Sequence, residues 1–224
     1  MEIGKVHTAY HGLLHRLGLY ESLVTDPKSR RLKDDDARFI GRLLVMMRQH
    51  FDSTMRVLEI GRSRGYSLGW FCMLHEVTHV ASIDPNRTEF DIKVEGYCRS
   101  SYSTTTLDIH VGTSDTFQFS DVPFNFALID GNHRYEWAKK DWENILPHMH
   151  PSGAVYFDNL KHMDGCGRAF TEIDGYTKRE IDNTGQRGGL VYLGNNHDFW
   201  QQILLLDGRS DEVTRSPAQT YDLH

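Results

Sequence analysis

Val57-Leu58-Glu59-Ile60-Gly61-Arg62-Ser63-Arg64-Gly65-Tyr66-Ser67 is the stretch on which the fold turns. A short apolar run of strand type enters a turn bounded by two glycines, and the chain leaves that turn with helical spacing. Glycine there lets the backbone take conformations closed to other residues and pass close to a ligand. In open α/β sheets, ligands bind at the carboxyl ends of the strands, where this turn would lie. The glycines are spaced G-x-x-x-G, not G-x-G-x-x-G, so a pyrophosphate cofactor, and with it a nicotinamide-dependent dehydrogenase, is disfavoured. The plain alternative is a tight turn between a strand and a helix.

Moving outward, short apolar runs recur at Val57–Ile60, Val77–Ile83, Leu107–Val111, Phe126–Ile129, Ala154–Phe157 and Leu190–Leu193. Helical patterns separate them at Ser67–His75, Glu89–Ser101 and Tyr135–Pro147, the last with Ala138, Trp142 and Ile145 on one face. Strands alternating with helices imply βαβ crossovers and a mostly parallel sheet. Upstream, Leu13, Leu14 and Leu17 have helical spacing, and Thr25 to Lys33 reads as a loop. Asp34-Asp35-Asp36 offers an N-cap and a negative first turn to a helix carrying Ile40, Leu43, Leu44 and Met47 on one face. His148 and His150 flank Met149 before Pro151-Ser152-Gly153 and read as a loop.

The strand ends carry the chemistry. Asp84 follows the second strand, where an acid can accept hydrogen bonds from both hydroxyls of a ribose or cap the next helix. Val111-Gly112-Thr113-Ser114 forms a small polar turn at the same edge, able to meet an adenine through its backbone and Ser114. The fourth strand ends in Asp130 and the fifth in Asp158-Asn159. If those strands are neighbours, three oxygen donors converge, a set that suits Mg²⁺. The bland reading is that such acids cap loops and helices. His133 lies three residues beyond Asp130; an imidazole with an ordinary pKa of about 6.5 can accept a proton near neutral pH.

Composition sets limits. The chain has 224 residues, 39% hydrophobic and 25% charged, which fits one α/β domain with a sizeable core. A formal net charge of -6 makes a general nucleic-acid partner unlikely on electrostatic grounds. Three scattered cysteines, Cys72, Cys98 and Cys166, suit a reducing compartment better than a disulfide framework. The first residues carry no apolar signal core and no run is long enough to span a bilayer, so the expectation is a cytoplasmic protein with no membrane partner.

The runs VLEIGRSRGYS at 57–67, IDPN at 83–86, VGTS at 111–114, LIDGNH at 128–133 and FDN at 157–159, in that order, resemble the catechol O-methyltransferase-like group of class I methyltransferases. They are also similar to the macrolide-sugar O-methyltransferases that share D-G-x-H. The resemblance covers about residues 55 to 195. It implies a Rossmann-like α/β fold: a seven-stranded, mostly parallel sheet with one antiparallel strand, helices on both faces, and Tyr176–Asn183 with Leu190–Leu193 as the final hairpin. It implies S-adenosyl-L-methionine framed by Glu59, Gly61, Gly65, Tyr66 and Ser67, with Asp84 on the ribose, Ser114 by the adenine, and Asp130 beside the cofactor. Asp130, Asp158 and Asn159 would ligate Mg²⁺, and His133 would be the base toward a hydroxyl of a small molecule or sugar.

The expected organisation is a helical cap over 1–54, a cofactor-binding core over 55–207 and a polar tail over 208–224. A transfer RNA nucleoside as acceptor and a non-catalytic binding module are the rival functions. Arg62 and Arg64 inside the glycine turn are expected to pair with surface acids or to meet an anionic substrate. His7, His11 and His15 would form one helical stripe able to bind a transition metal; with no acid or cysteine to complete a site, an exposed helix face is expected. Trp137 and Trp142 read as helix packing. Phe199, Trp200 and Ile203 to Leu206 read as a helix docking on the sheet or on a second subunit, which makes a homodimer an expected partner.

Overall fold

A computed structural model describes residues 2–25, 32–52, 54–161, 164–183 and 186–206. Arg30, Arg31 and the tail from Gly208 fall outside that range, as does most of the Thr25–Lys33 segment. Two helices open the chain, α1 (Ile3–Arg16) and α2 (Asp34–Phe51). Then strands and helices alternate: β1 (Met55–Ile60), α3 (Tyr66–Met73), β2 (Val77–Asp84), α4 (Glu89–Ser101), β3 (Thr106–Val111), β4 (Phe124–Ile129), α5 (Tyr135–Ile145), β5 (Met149–Phe157) and α6 (Cys166–Thr171). The hairpin β6 (Thr177–Asn183) and β7 (Gln186–Tyr192) and the helix α7 (His197–Leu205) close the fold.

The seven strands form one sheet in the order β3-β2-β1-β4-β5-β7-β6. β1 to β5 pair in parallel, and β7 runs antiparallel to both β5 and β6. One strand, β7, is reversed, and a single reversed strand near the edge is what the resemblance implied. Its cause is local, since a two-strand hairpin must reverse direction, whereas the earlier strands are joined by longer crossovers, most of them carrying a helix.

Alternation along each strand sorts the core into two layers. Val57, Phe126, Ala154 and Leu190 face one cluster with residues of α1, α2, α3, α4 and α7, including Tyr10, Phe39, Leu43, Trp70, Val94 and Phe199. Their neighbours Leu58, Ala127, Val155 and Val191 face the other, packed by Ala138, Trp142 and Ile145 of α5 and Phe170 of α6. A strand buried on both faces needs apolar residues at consecutive positions, which is why these segments read as continuous hydrophobic runs.

The N-terminal helices dock on this sheet through polar as well as apolar contacts. The Tyr10 hydroxyl donates to the Tyr66 carbonyl at 2.5 Å, and a Cβ placed on Gly69 would meet that hydroxyl at 2.5 Å. From the middle of the sheet, the Tyr156 hydroxyl donates to Asp36 Oδ1 at 2.5 Å.

Several local expectations are corrected. The N-cap of α2 is Lys33, and Asp34, Asp35 and Asp36 occupy its first turn without a side-chain cap; they serve the helix dipole instead. The segment around His148 and His150 is not a plain loop, because β5 starts at Met149. Phe124 pairs with Met149 and Phe126 with Ala154, so the extra residues bulge out and Pro151, which cannot donate, escapes the ladder. Trp142 packs as expected, while Trp137 is 38% exposed beneath the Lys140 ammonium. Phe199, Trp200 and Ile203 bury against Tyr192, so α7 docks on this chain's own sheet.

Candidate active site

Main-chain hydrogen bonds extend the parallel ladder one residue past each strand and align the ends. Gly61 N–H donates to Ile83 O at 2.9 Å, Asp130 N–H to Ile60 O at 2.8 Å, and Asp158 N–H to Ile129 O at 3.0 Å. Asp84, the glycine turn, Asp130 and Asp158 therefore line one edge of the sheet.

The turn is built from inside the protein. Gly61 and Gly65 have φ of +96° and +87°, backbone that an L side chain rarely adopts. A Cβ on Gly61 would lie 2.0 Å from Asp130 O, so the close approach that demands glycine is to the end of β4. Arg62 is 1% exposed and braces the turn: its Nε donates to Asp91 Oδ2 at 2.9 Å and its Nη1 to Ser82 O at 2.9 Å. Asp91 is buried and belongs to α4, so the expected surface ion pair is an interior strut. Arg64 lies over the Phe90 ring at 5.2 Å. Asp84 accepts from Ser63 N–H at 2.8 Å and from Asn86 N–H at 2.7 Å, which holds both loops at this edge.

Glu59 is fully buried and accepts from Ser82 Oγ and from Ser67. Burial raises its carboxyl above the usual range, against the pull of those two hydroxyls. Its Oε1 has no hydrogen-bond partner. A buried acceptor left open beside the glycine turn fits the ammonium or hydroxyl donors of an amino-acid nucleoside. Tyr66 is buried, its hydroxyl donating to Asp34 Oδ1 at 3.0 Å. Ser114 is also buried, and its hydroxyl is committed to α5: it donates to Asp141 Oδ1 at 2.6 Å and accepts from Asn144 Nδ2 at 2.9 Å. Its single hydroxyl proton is thus used inside the protein. Asp141, which sequence reasoning missed, is pushed up to about 6 by burial.

β4 and β5 are neighbours, with Ile129 opposite Phe157, so Asp130 and Asp158 stand side by side. Burial comes first, and the charge and hydrogen bond of Asp158 next, in raising the Asp130 carboxyl well above the usual range. Asn159 has φ of +61° and donates from Nδ2 to Asp158 Oδ2 at 2.5 Å. The two carboxyls offer oxygen donors that fit a hard divalent cation, which would relieve the facing charges; Asn159, which turns its Nδ2 to Asp158, would join them through its amide oxygen only with the amide rotated. His133 Nε2 lies 3.4 Å from Asn159 Nδ2, and His133 Nδ1 lies 3.6 Å from Cys166 Sγ. The thiol of Cys166 is pushed up to about 12, chiefly by burial and then by Asp130 and Asp158, so it stays neutral. A lone cysteine between glycines gave no signal of this role. The loop carrying His133 is hooked in place by Cys166 N–H, which donates to His133 O at 3.1 Å.

Residues 58–160, from β1 to just past Asn159, match the family model described as a methyltransferase domain. This is a class I methyltransferase fold. The O-methyltransferase TomG from Streptomyces achromogenes, involved in tomaymycin synthesis and solved with S-adenosylmethionine, is similar in structure. It has a TM-score of 0.60 and 16% identity over 85% of this chain and 90% of that one. An O-methyltransferase from Bacillus cereus in complex with S-adenosylhomocysteine gives a TM-score of 0.59 and 13% identity, over 82% of this chain and 90% of that one. At such identities the likeness is one of fold. Among curated proteins, no sequence matches the chain. The methyltransferase order places β7 between β5 and β6, unlike the 3-2-1-4-5-6 order of the dinucleotide fold, so the nicotinamide alternative loses its ground. Among the described residues, no helix is long and apolar enough to cross a membrane.

Proposed function

We propose that the chain is an O-methyltransferase that carries the methyl group of S-adenosylmethionine to a hydroxyl of a small molecule or sugar, with Mg²⁺ held by Asp130, Asp158 and Asn159. The observation that carries this reading is the pair of adjacent strand-end carboxyls, Asp130 and Asp158, with His133 within reach of Asn159. Glu59, the Gly61–Gly65 turn, Ser67 and Asp84 would hold the cofactor, with the Ser114 backbone beside its adenine. When bound, S-adenosylmethionine supplies an electrophilic methyl and Mg²⁺ the positive charge that favours loss of a hydroxyl proton.

The chain's own residues do the rest. With Nδ1 protonated and turned to the Cys166 sulfur, His133 presents Nε2 as the lone-pair nitrogen on the side of Asn159. His133 receives the proton that the acceptor hydroxyl gives up as its oxygen takes the methyl. The aligned strand ends hold the groups in register, and positioning of this kind supplies much of the rate in a displacement reaction.

The proposal extends to an organisation of helical cap over 1–54 and core over 55–207, and to a cytoplasmic location, which the buried free thiols Cys72, Cys98 and Cys166 suit. The net charge of -6 favours a small acceptor over a transfer RNA.

The test is a thermal melt with S-adenosylhomocysteine, in Mg²⁺ and in EDTA, followed by turnover on a panel of hydroxyl acceptors. At about 100 times its dissociation constant a ligand stabilises by about 2.7 kcal/mol, a shift of roughly 5–10 °C for a chain of this size. Asp158→Ala should keep that shift and lose methyl transfer. Unchanged turnover in Asp158→Ala removes the metal from the mechanism, and no shift with the nucleoside removes the cofactor.

A further inference from the structure

We infer that His7, His11 and Asp34 form a second metal site, for a transition-metal ion of the Zn²⁺ class, between α1 and the start of α2. The helical pitch of α1 stacks His7 and His11 on one face, four residues apart. The acid missing from the sequence pattern comes from the next helix: Asp34 Oδ1 lies 3.5 Å from His7 Nε2 and 3.7 Å from His11 Nε2. The three donor atoms lie within 4.8 Å of one another. Two ligands at a tetrahedral Zn²⁺, with bonds of about 2.0–2.1 Å, stand about 3.4 Å apart, close to both histidine–aspartate distances here.

The second observation is the state of His7. It is 3% exposed, yet its Nε2 makes no hydrogen bond. Its ring packs edge-on to Trp70 at 5.7 Å and tilted against His11 at 4.3 Å. A hydrogen-bonded trio of His11, Tyr66 and Asp34 accounts for the other members, since the Tyr66 hydroxyl lies 3.3 Å from His11 Nε2 and donates to Asp34 Oδ1 at 3.0 Å. It leaves the His7 nitrogen with only the longer approach of Asp34 Oδ1 and no hydrogen bond, and a metal ion between them would satisfy it. The Tyr66 bond also orients the carboxylate, as outer partners of metal ligands do.

Chemistry selects the ion. Two imidazoles and one carboxylate suit Zn²⁺, Co²⁺ or Ni²⁺ and not Mg²⁺, which sets this cluster apart from the oxygen donors Asp130, Asp158 and Asn159. The Asp34 side chain is 36% exposed, which leaves a path for the ion and a water for the fourth position. His15 is outside the cluster, stacked on Tyr20 at 3.6 Å. An ion here would pin α1 and α2 to Tyr66, the first residue after the glycine turn.

The test uses the full chain, freed of metal by a chelator and titrated with Co²⁺. One equivalent should produce the strong visible absorption of four-coordinate Co²⁺, be displaced by Zn²⁺, and raise the melting temperature. His11→Ala and Asp34→Asn, both at partly exposed positions, should abolish the band and the melting shift while the far-ultraviolet dichroism stays native. Asp158→Ala should keep both. No band in the wild-type chain, or a band that survives His11→Ala, overturns the site; so does a band lost only in Asp158→Ala, which would place the ion at the strand ends.

Discussion

Asp141→Asn should stabilise the protein, and more so as the pH rises. Asp141 is 5% exposed on α5, accepts from Ser114, and has its carboxyl raised from about 3.8 to about 6 by burial. A shift of about 2.2 units at about 1.36 kcal/mol each corresponds to about 3 kcal/mol. Because the folded value is the higher one, the carboxyl's contribution is intact below about pH 4 and is lost as the pH climbs through 6. An amide at 141 titrates nowhere in that range and can still accept the Ser114 proton. The gap between variant and wild type should therefore grow from about 1.6 kcal/mol at pH 5 to about 3 kcal/mol at pH 8. In melting temperature that is roughly 3–6 °C at pH 5 and 6–12 °C at pH 8. Scanning calorimetry at the two pH values reads it. Any cost of seating the extra amide hydrogens moves both gaps equally, so the growth with pH is the diagnostic. A gap that stays flat between pH 5 and pH 8 would refute a buried, destabilised carboxylate at this position.

Three further outcomes follow from the same geometry. Gly61→Ala should cost about 2–5 kcal/mol, from left-handed strain and from a Cβ 2.0 Å from Asp130 O, and should erase the S-adenosylhomocysteine shift; a wild-type melt would show the turn is not held as described. Arg62→Ala should cost about 3 kcal/mol, the low end for a broken buried pair, because Arg87 remains 3.2 Å from Asp91; urea unfolding with a loss below about 1 kcal/mol would deny the strut. Tyr156→Phe should lower the urea midpoint by the equivalent of about 1–3 kcal/mol, since a buried carboxyl oxygen of Asp36 loses its donor; an unchanged midpoint would mean that bond adds nothing.

The sheet was readable because strands covered on both faces are largely apolar, as Phe126–Ile129 and Ala154–Phe157 are throughout and Val57–Ile60 is apart from Glu59. The order of strand-end acids was readable for the same reason, since Asp84, Asp130 and Asp158 each follow such a run. What stayed hidden depends on contacts between distant segments. Asp34 meets His7 and His11 only because α2 packs across α1, and no spacing rule links a residue at 34 to one at 7. Cys166 reaches His133 because a loop from beyond β5 folds back on the one beyond β4. Arg62 looked like a surface charge because its partner Asp91 sits 29 positions away, inside a helix whose sequence advertises only a cap. The extension of β5 back to Met149 was masked by Pro151 and Gly153, whose bulge interrupts the pattern without ending the strand.

The way the N-terminal helices are fastened has a bearing on how freely they could be exchanged. Tyr10 fills the room left by the missing side chain of Gly69, and Asp36 takes the proton of Tyr156 from a strand in the middle of the sheet. A pair of helices lacking Tyr10 and Asp36 would arrive with neither contact. They would leave a void over Gly69 and a buried Tyr156 hydroxyl without its acceptor, so exchanging the two helices wholesale should destabilise the fold. Substitutions at this seam should then be tolerated as paired changes on both sides of it, one interlocked position at a time.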